Sequence, residues 1–224
     1  MNAIFHDRAE AGRLLARKLE KYTDRADVVI LALPRGGVPV AREVAEKLRA
    51  PMDVFVVRKL GVPGFEEFAM GAIASGEVCV LNPSVIASLR MPHHVIEKVA
   101  ARERQELNRR ELAYRGDEPP LRLAGHTVIL IDDGVATGST MLAAIKAIRK
   151  QLPAKIVVGV PVASESSYSD LVEAADEVVA VLVPELFSNV GQWYEDFSEV
   201  TDAEVRRLLR SSSVHAALPA AKAA

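Results

Sequence analysis

Cysteine is almost absent: Cys79 is the single one among 224 residues, so no disulfide can form within the chain. Its apolar neighbours Val78 and Val80 mark it as a packed strand thiol, not a nucleophile. No apolar run approaches the ~20 residues of a membrane span. The start, MNAIFHDRAEAGRLL, has no basic segment followed by an apolar core, so no signal peptide is expected and a cytoplasmic location is. The net charge is only −2, which supplies no overall field for nucleic acid or an anionic membrane. Affinity for an anion must therefore come from local sites. Two common nucleotide signatures are also missing. There is no G-x-x-x-x-G-K-[ST] phosphate loop, and no G-x-G-x-x-G follows a strand. Aromatics make up 5% of the chain, so their concentration in one segment carries information.

What remains is ordinary soluble composition, 50% hydrophobic and 26% charged, at a length that suits one large α/β domain. The most informative stretch is Val128 to Thr140, VILIDDGVATGST. Four apolar residues read as a strand buried on both faces, as in a parallel sheet. Asp132 and Asp133 follow at its carboxyl end, where open α/β sheets bind ligands. Ala136, Thr137, Gly138, Ser139 and Thr140 then form a small-residue, hydroxyl-rich loop that opens a helix. Backbone N–H groups of such a loop and helix start attract anions. An anion cradle beside two carboxylates suits a sugar phosphate. A receiver-type phospho-acceptor also clusters Asp but has no need of the glycine and hydroxyl loop.

Elsewhere strands and helices alternate. Helices are expected over 7–22, 38–48, 92–115, 140–152, 167–174 and 202–210, and strands over 28–33, 53–57, 127–131, 155–162 and 178–183. Residues 72–75 and 77–81 suggest a hairpin across Gly76, and 60–69, with Gly61, Pro63 and Gly64, reads as a mobile loop. The alternation implies βαβ units around a parallel sheet. Residues 211–224, rich in Ser and Ala, read as a disordered tail after a single domain over 1–210.

Three further segments carry chemistry. Arg35-Gly36-Gly37 sits between the first strand and its helix. The glycines permit close backbone approach, and Arg35 offers a charged fork for phosphate, although a plain tight turn is the alternative. Arg58-Lys59 closes the second strand, either as solvated charge or as an anion contact ahead of the 60–69 loop. The segment 184–197 holds Phe187, Trp193, Tyr194 and Phe197, either stacking a planar base or forming a small satellite core. The charged helix mixes both signs, with Arg102, Glu106 and Arg110 at i,i+4 spacing, which argues against a nucleic-acid stripe.

At VILIDDGVATGST the chain resembles the type I phosphoribosyltransferases, whose T-G-x-T loop binds the 5′-phosphate of phosphoribosyl pyrophosphate (PRPP). LALPRGGVPVAREVA, FVVRKLGVPG, AMGAIASGEV and VGQWYEDF extend the resemblance from Phe5 to Leu209, to a bacterial subfamily of phosphoribosyltransferase-domain proteins. The resemblance implies a Rossmann-like, mostly parallel sheet flanked by helices, with a small hood over about 184–200 plus the N-terminal segment. It implies a pentosyltransferase of nucleotide metabolism that uses PRPP and Mg²⁺ to transfer a 5-phosphoribosyl group to a small-molecule nitrogenous acceptor, a nucleobase, with release of pyrophosphate. A homodimer is a further expectation, to which the hairpin around Gly76 could contribute. Gly36 and Gly37 then belong to the pyrophosphate loop, often with a strained peptide bond. Arg58 and Lys59 precede a lid, and Asp132 and Asp133 hold the ribose hydroxyls, directly or through metal-bound water. Matching Val190-Gly191 to the hood motif of the purine-salvage branch puts Glu195 at its acidic, metal-meeting position, which makes Glu195 a candidate base. Phe187 or Trp193 then stacks on the base. Two departures speak against purine salvage. Ala136 replaces the proposed catalytic Asp of the 6-oxopurine enzymes, and no Lys lies between Lys155 and Lys222. A PRPP- or nucleotide-binding regulator without turnover, and a phosphoribosyl hydrolase, stay open as rivals.

Overall fold

The computed structural model describes residues 4–76, 78–116 and 118–210, leaving out the side chains of residues 66 and 67. The expected tail over 211–224 lies outside the described residues. Five parallel strands form the main sheet: β1 (Val28–Ala32), β2 (Met52–Val54), β6 (Thr127–Ile131), β7 (Lys155–Val162) and β8 (Glu177–Leu182). Their spatial order is β2-β1-β6-β7-β8. The order reverses between β1 and β6, so the two strands diverge into helices on opposite faces there. This topological switch is where a doubly wound sheet opens a crevice at its carboxyl edge.

β1 and β6 are buried at every position, as their uninterrupted Val/Ile/Leu runs require. Their side chains alternate between two cores. Val28, Ile30, Ile129 and Ile131 face α1 (Arg8–Lys18) and α2 (Gly37–Leu48). Val29, Leu31, Val128 and Leu130 face α5 (Ser139–Arg149) and α6 (Glu165–Ala174). Asp7 caps α1 by accepting from the Glu10 N–H at 2.7 Å. The helix stops at Lys18, and a 3₁₀ turn covers Glu20–Tyr22.

The expected second strand and the loop after it need correction. The chain leaves the parallel sheet at Phe55, and β3 (Val57–Val62), β4 (Phe65–Ala74) and β5 (Val78–Leu81) form a separate antiparallel sheet. Arg58 and Lys59 therefore lie inside β3 and not at the end of β2. Residues 60–69 are a β-hairpin and not an open loop, because Pro63 and Gly64, with φ +81° at Gly64, close a short reversal. The hairpin across Gly76 forms as expected, with Ala74 opposite Val78. A short helix, α3 (Pro83–Ser88), begins at the Asn82 cap. The charged segment is one unbroken helix, α4 (His93–Arg115), and α7 (Asp202–Arg210) closes the described chain. Glu106 of α4 pairs with Arg109 and Arg110, while Arg102 turns to Glu103 instead. No helix among the described residues is long and apolar enough to cross a membrane.

A third, small core joins the N-terminal segment to the aromatic segment: Phe5, Ala11, Val162, Trp193 and Tyr194 pack together. The backbone N–H groups of Ile4 and Phe5 donate to the Trp193 carbonyl, and that of Glu195 donates to the Phe5 carbonyl.

Candidate functional site

The loops after β1 and β6 meet because those strands are paired in register, Ala32 beside Ile131. The Leu33 N–H continues the ladder by donating to the Ile131 carbonyl at 2.8 Å. Arg35-Gly36-Gly37 and Asp132-Asp133 are therefore pressed together, and the Pro34–Arg35 peptide bond is cis. A Cβ placed on Gly36 would stand 2.0 Å from Asp133 Oδ2, and one on Gly37 would stand 2.7 Å from the Ile131 carbonyl oxygen. Both glycines are thus required by close approach.

Two helices begin on either side of the acidic pair. α2 starts after Gly36 and α5 after Gly138, and neither start has a side-chain cap. Gly138 takes a left-handed φ of +70° that most residues avoid. The first N–H groups of a helix have no intrahelical acceptor, so each start can receive an anion. Thr137 and Ser139 add hydroxyls, 3.3 Å apart, at the α5 start. This loop is fixed from behind. Ser164 Oγ and Ser167 Oγ both donate to the Ala136 carbonyl, at 2.8 and 2.7 Å. The backbone of Val135 pairs with Val162 and Ser164. These serines were not singled out from the sequence, although Ser164 stands just beyond the next strand, where sheet-edge contacts collect.

The two carboxylates differ. Asp132 Oδ1 accepts from the Asp133 N–H at 2.9 Å. Its other oxygen has no partner among the described residues and is not sealed from solvent. Burial, and then the charge of Asp133, push the Asp132 carboxyl well above the usual carboxylate range. Asp133 is only 9% exposed. Its Oδ2 accepts from Arg8 Nε at 2.8 Å, and its carbonyl accepts from the Tyr194 hydroxyl at 2.5 Å. Burial raises the Asp133 carboxyl too, with Arg8 opposing. Arg8 was missed in the sequence because it lies 125 residues away, on a helix that reads as amphipathic packing.

The remaining candidates are partly dispersed. Arg35 pairs with Glu199 and lies 3.8 Å from Asp202. Arg58 and Lys59 point to opposite faces of β3, as strand alternation demands. Arg58 reaches the buried Glu103 of α4 at 2.6 Å. Lys59 instead lines a cleft of about 310 Å³ that also holds Ser139 and Lys146. Glu195 is exposed and bonded to His6 at 2.8 Å, which raises the His6 pKa above its ordinary value. Trp193 is buried and stacks on the half-buried Phe187, with ring centroids 6.4 Å apart. Trp193 therefore belongs to the satellite core, whereas Phe187 forms its outer edge. Among the described residues no three His, Cys, Asp or Glu side chains converge as a metal site.

Known proteins resemble this chain in sequence and fold. A Mycobacterium tuberculosis protein provisionally named a phosphoribosyl transferase is 43% identical over 202 residues, which are 90% of this chain. The chain spans about 45% of that relative's length. An orotate phosphoribosyltransferase of Levilactobacillus brevis is 33% identical over 91 residues, covering 33% of this chain and 43% of the relative. The crystal structure of TT1426 from Thermus thermophilus superposes with a TM-score of 0.82 at 45% identity, covering 93% of this chain and 98% of that one. Residues 2–192 match the phosphoribosyl transferase domain, and with the strand order, the glycine turn and the acidic strand end in place, the chain belongs to the phosphoribosyl transferase family.

Proposed function

We propose that the protein transfers the 5-phosphoribosyl group of PRPP to a nitrogenous acceptor, a nucleobase-like ring, with release of pyrophosphate. One observation carries this reading: two uncapped helix starts flank a carboxylate pair at the switch point of the sheet. PRPP has a matching layout, with a phosphate at one end, a pyrophosphate at the other and hydroxyls between.

In this reading the N–H groups and hydroxyls of Ala136 to Thr140 hold the 5′-phosphate. The acidic end of β6 accepts from the ribose hydroxyls. Arg35, the Gly36-Gly37 backbone and Lys59 take the leaving pyrophosphate, and Arg58 braces Lys59 through its hold on Glu103. Catalysis is then largely positioning and leaving-group electrostatics. Phe187 offers a ring face to the acceptor, over Trp193. Glu195 receives the proton that the acceptor nitrogen gives up. Mg²⁺ fits these residues as a substrate-borne ion, because it is commonly held by one or two carboxylates plus phosphates, and Asp132 has an open oxygen. When bound, it would offset charge on the pyrophosphate.

Calorimetry with PRPP, with and without Mg²⁺, tests the reading. Mg²⁺-dependent binding that Asp132→Asn abolishes supports it, and a pyrophosphate-release screen then finds the acceptor. Binding with no release across nucleobases would favour a regulator without turnover. No binding at millimolar PRPP would end the phosphoribosyl reading.

A further inference from the structure

A second cavity, of about 240 Å³, lies away from the crevice, between α4 and the β4–β5 turn at Gly76. No residue of the acidic pair, the glycine turn or the hydroxyl-rich loop lines it. Ile73, Val78, Leu107 and Pro120 give it apolar walls. α4 supplies the polar side chains. Arg104, Asn108, Glu111 and Arg115 line the cavity from one face of the helix, at spacings of four, three and four residues.

These side chains are not equally engaged. Arg115 is 6% exposed and committed: its Nε lies 3.0 Å from Asp53 Oδ2, and its Nη2 donates to the Val54 carbonyl at 3.2 Å. The other arginines of α4 also have acid partners, Glu103 for Arg102 and Glu106 for Arg109 and Arg110. Arg104 is the exception. Neither its guanidinium nor the Asn108 amide has a partner among the described residues. Glu111 accepts only from Arg115 Nη1, at a long 3.4 Å, and its second oxygen has no partner among the described residues. Because Asp53 already balances Arg115, the cavity keeps one uncompensated guanidinium and one uncompensated carboxylate. They do not pair with each other: seven helical residues set their Cα atoms ~10 Å apart, with Asn108 between them.

We propose that this cavity is a second ligand site, for a small zwitterion whose acid and amine are separated by an apolar body. The ligand's carboxylate takes the parallel N–H donors of Arg104. Its ammonium meets Glu111, the Asn108 amide bonds between them, and the body lies on Ile73, Val78 and Leu107. Glu111 repels a purely anionic ligand and Arg104 a purely cationic one, so the site selects for both charges together. The proposal does not rest on the PRPP reading, and its test involves no PRPP.

The probe is 4-(aminomethyl)benzoate, titrated by NMR beside benzoate and benzylamine, which carry one charged end each. Wild type should bind 4-(aminomethyl)benzoate with a Kd below about 1 mM and at least about fivefold more tightly than either one-ended compound. Arg104→Gln should weaken 4-(aminomethyl)benzoate and benzoate by about tenfold and leave benzylamine within about twofold. Glu111→Gln should do the reverse, weakening the two amines and sparing benzoate. Arg109→Gln, off the cavity face, should leave all three within about twofold. Arg104 bonds nothing in the folded chain, so Arg104→Gln should melt with wild type. If Glu111→Gln does not fold, the three probes on wild type and Arg104→Gln decide alone. The proposal is overturned by no saturable binding of 4-(aminomethyl)benzoate to wild type at about 10 mM. It is also overturned if the Arg104→Gln loss is the same for benzoate and benzylamine, or is no larger than that of Arg109→Gln.

Discussion

The two sides of the crevice are built differently. The parallel-sheet side, Leu33 to Gly37 and Asp132 to Thr140, is held by backbone packed so closely that Gly36 and Gly37 leave no space for a Cβ. The hairpin side, β3 and β4, is held near its base by Arg58 on Glu103. It ends in Phe65 and Phe68, 69% and 65% exposed, around a Gly64 where an added Cβ would touch nothing within 4 Å. The first side suits placement of a phosphate and a sugar within fractions of an ångström. The second suits an element that closes over them, excludes water and opens again. Close packing in this fold is concentrated where the strands diverge and falls off towards the tip of the antiparallel extension.

Substitutions should break or sharpen that contrast. The largest effect is expected for Gly36→Ala, which must displace Asp133. It should cost about 1–3 kcal/mol, lowering Tm by several degrees in a thermal melt, and remove PRPP binding. Gly64→Ala, at the hairpin tip, meets only the left-handed strain of ~1 kcal/mol and should leave PRPP affinity within twofold. A Gly64→Ala cost matching that of Gly36→Ala would remove the distinction. Next in size is Arg58→Ala, which leaves Glu103, 7% exposed, with only Arg102, and should lower stability by about 1–2 kcal/mol in urea unfolding. Lys59→Ala, one residue on, should change stability by less than ~0.5 kcal/mol while weakening pyrophosphate binding several-fold. A reversed order would mean that Arg58 faces the ligand.

Smaller is the pH dependence of Asp132. Its pKa is raised in the folded state, so the folded protein keeps this proton to higher pH than the unfolded chain does. Stability is therefore lost as pH rises from the ordinary Asp range through the raised value, and the full cost is present above it. In metal-free buffer, Asp132→Asn should raise Tm at pH 8, by an amount on the order of 2–4 °C per kcal/mol relieved. The gain should largely vanish at about pH 3, below the ordinary Asp value of 3.8, where the wild-type side chain is mostly protonated in both states. A gain that is the same at both pH values would point to packing and not to charge. The smallest effect is at His6, where an NMR titration should run above the ordinary value of 6.5 and move back towards it in Glu195→Gln, with no change in Tm.

Much of this was legible from residues alone. The buried strand Thr127–Ile131, the acid pair after it and the helix after that follow from apolar continuity and a small-residue break. The β7 boundaries, Lys155–Val162, match the expected strand end for end. The misreadings share one cause. Residues 53–69 carry apolar and turn signals that suit either a parallel strand with a loop or an antiparallel hairpin. Only pairing partners choose between them, here Ala32 for Phe55 and Ser75 for Val56. The same ambiguity put Arg58 and Lys59 together at a strand end, when a period of two separates them.

Local sequence determined which segments are buried, where the glycines must be and that a small-residue, hydroxyl-bearing loop and a helix start follow β6, because these depend on neighbours within a few residues. Tertiary structure alone decided which charges stay available. Arg8 reached Asp133 across 125 residues, Glu103 reached Arg58 across 45, and Ser164 and Ser167 gripped Ala136 from the next crossover. Ion pairs and hydrogen bonds of this kind carry no sequence period. They arise from the order of strands in the sheet, and that order brought the acidic pair, its guanidinium and both uncapped helix starts to one edge.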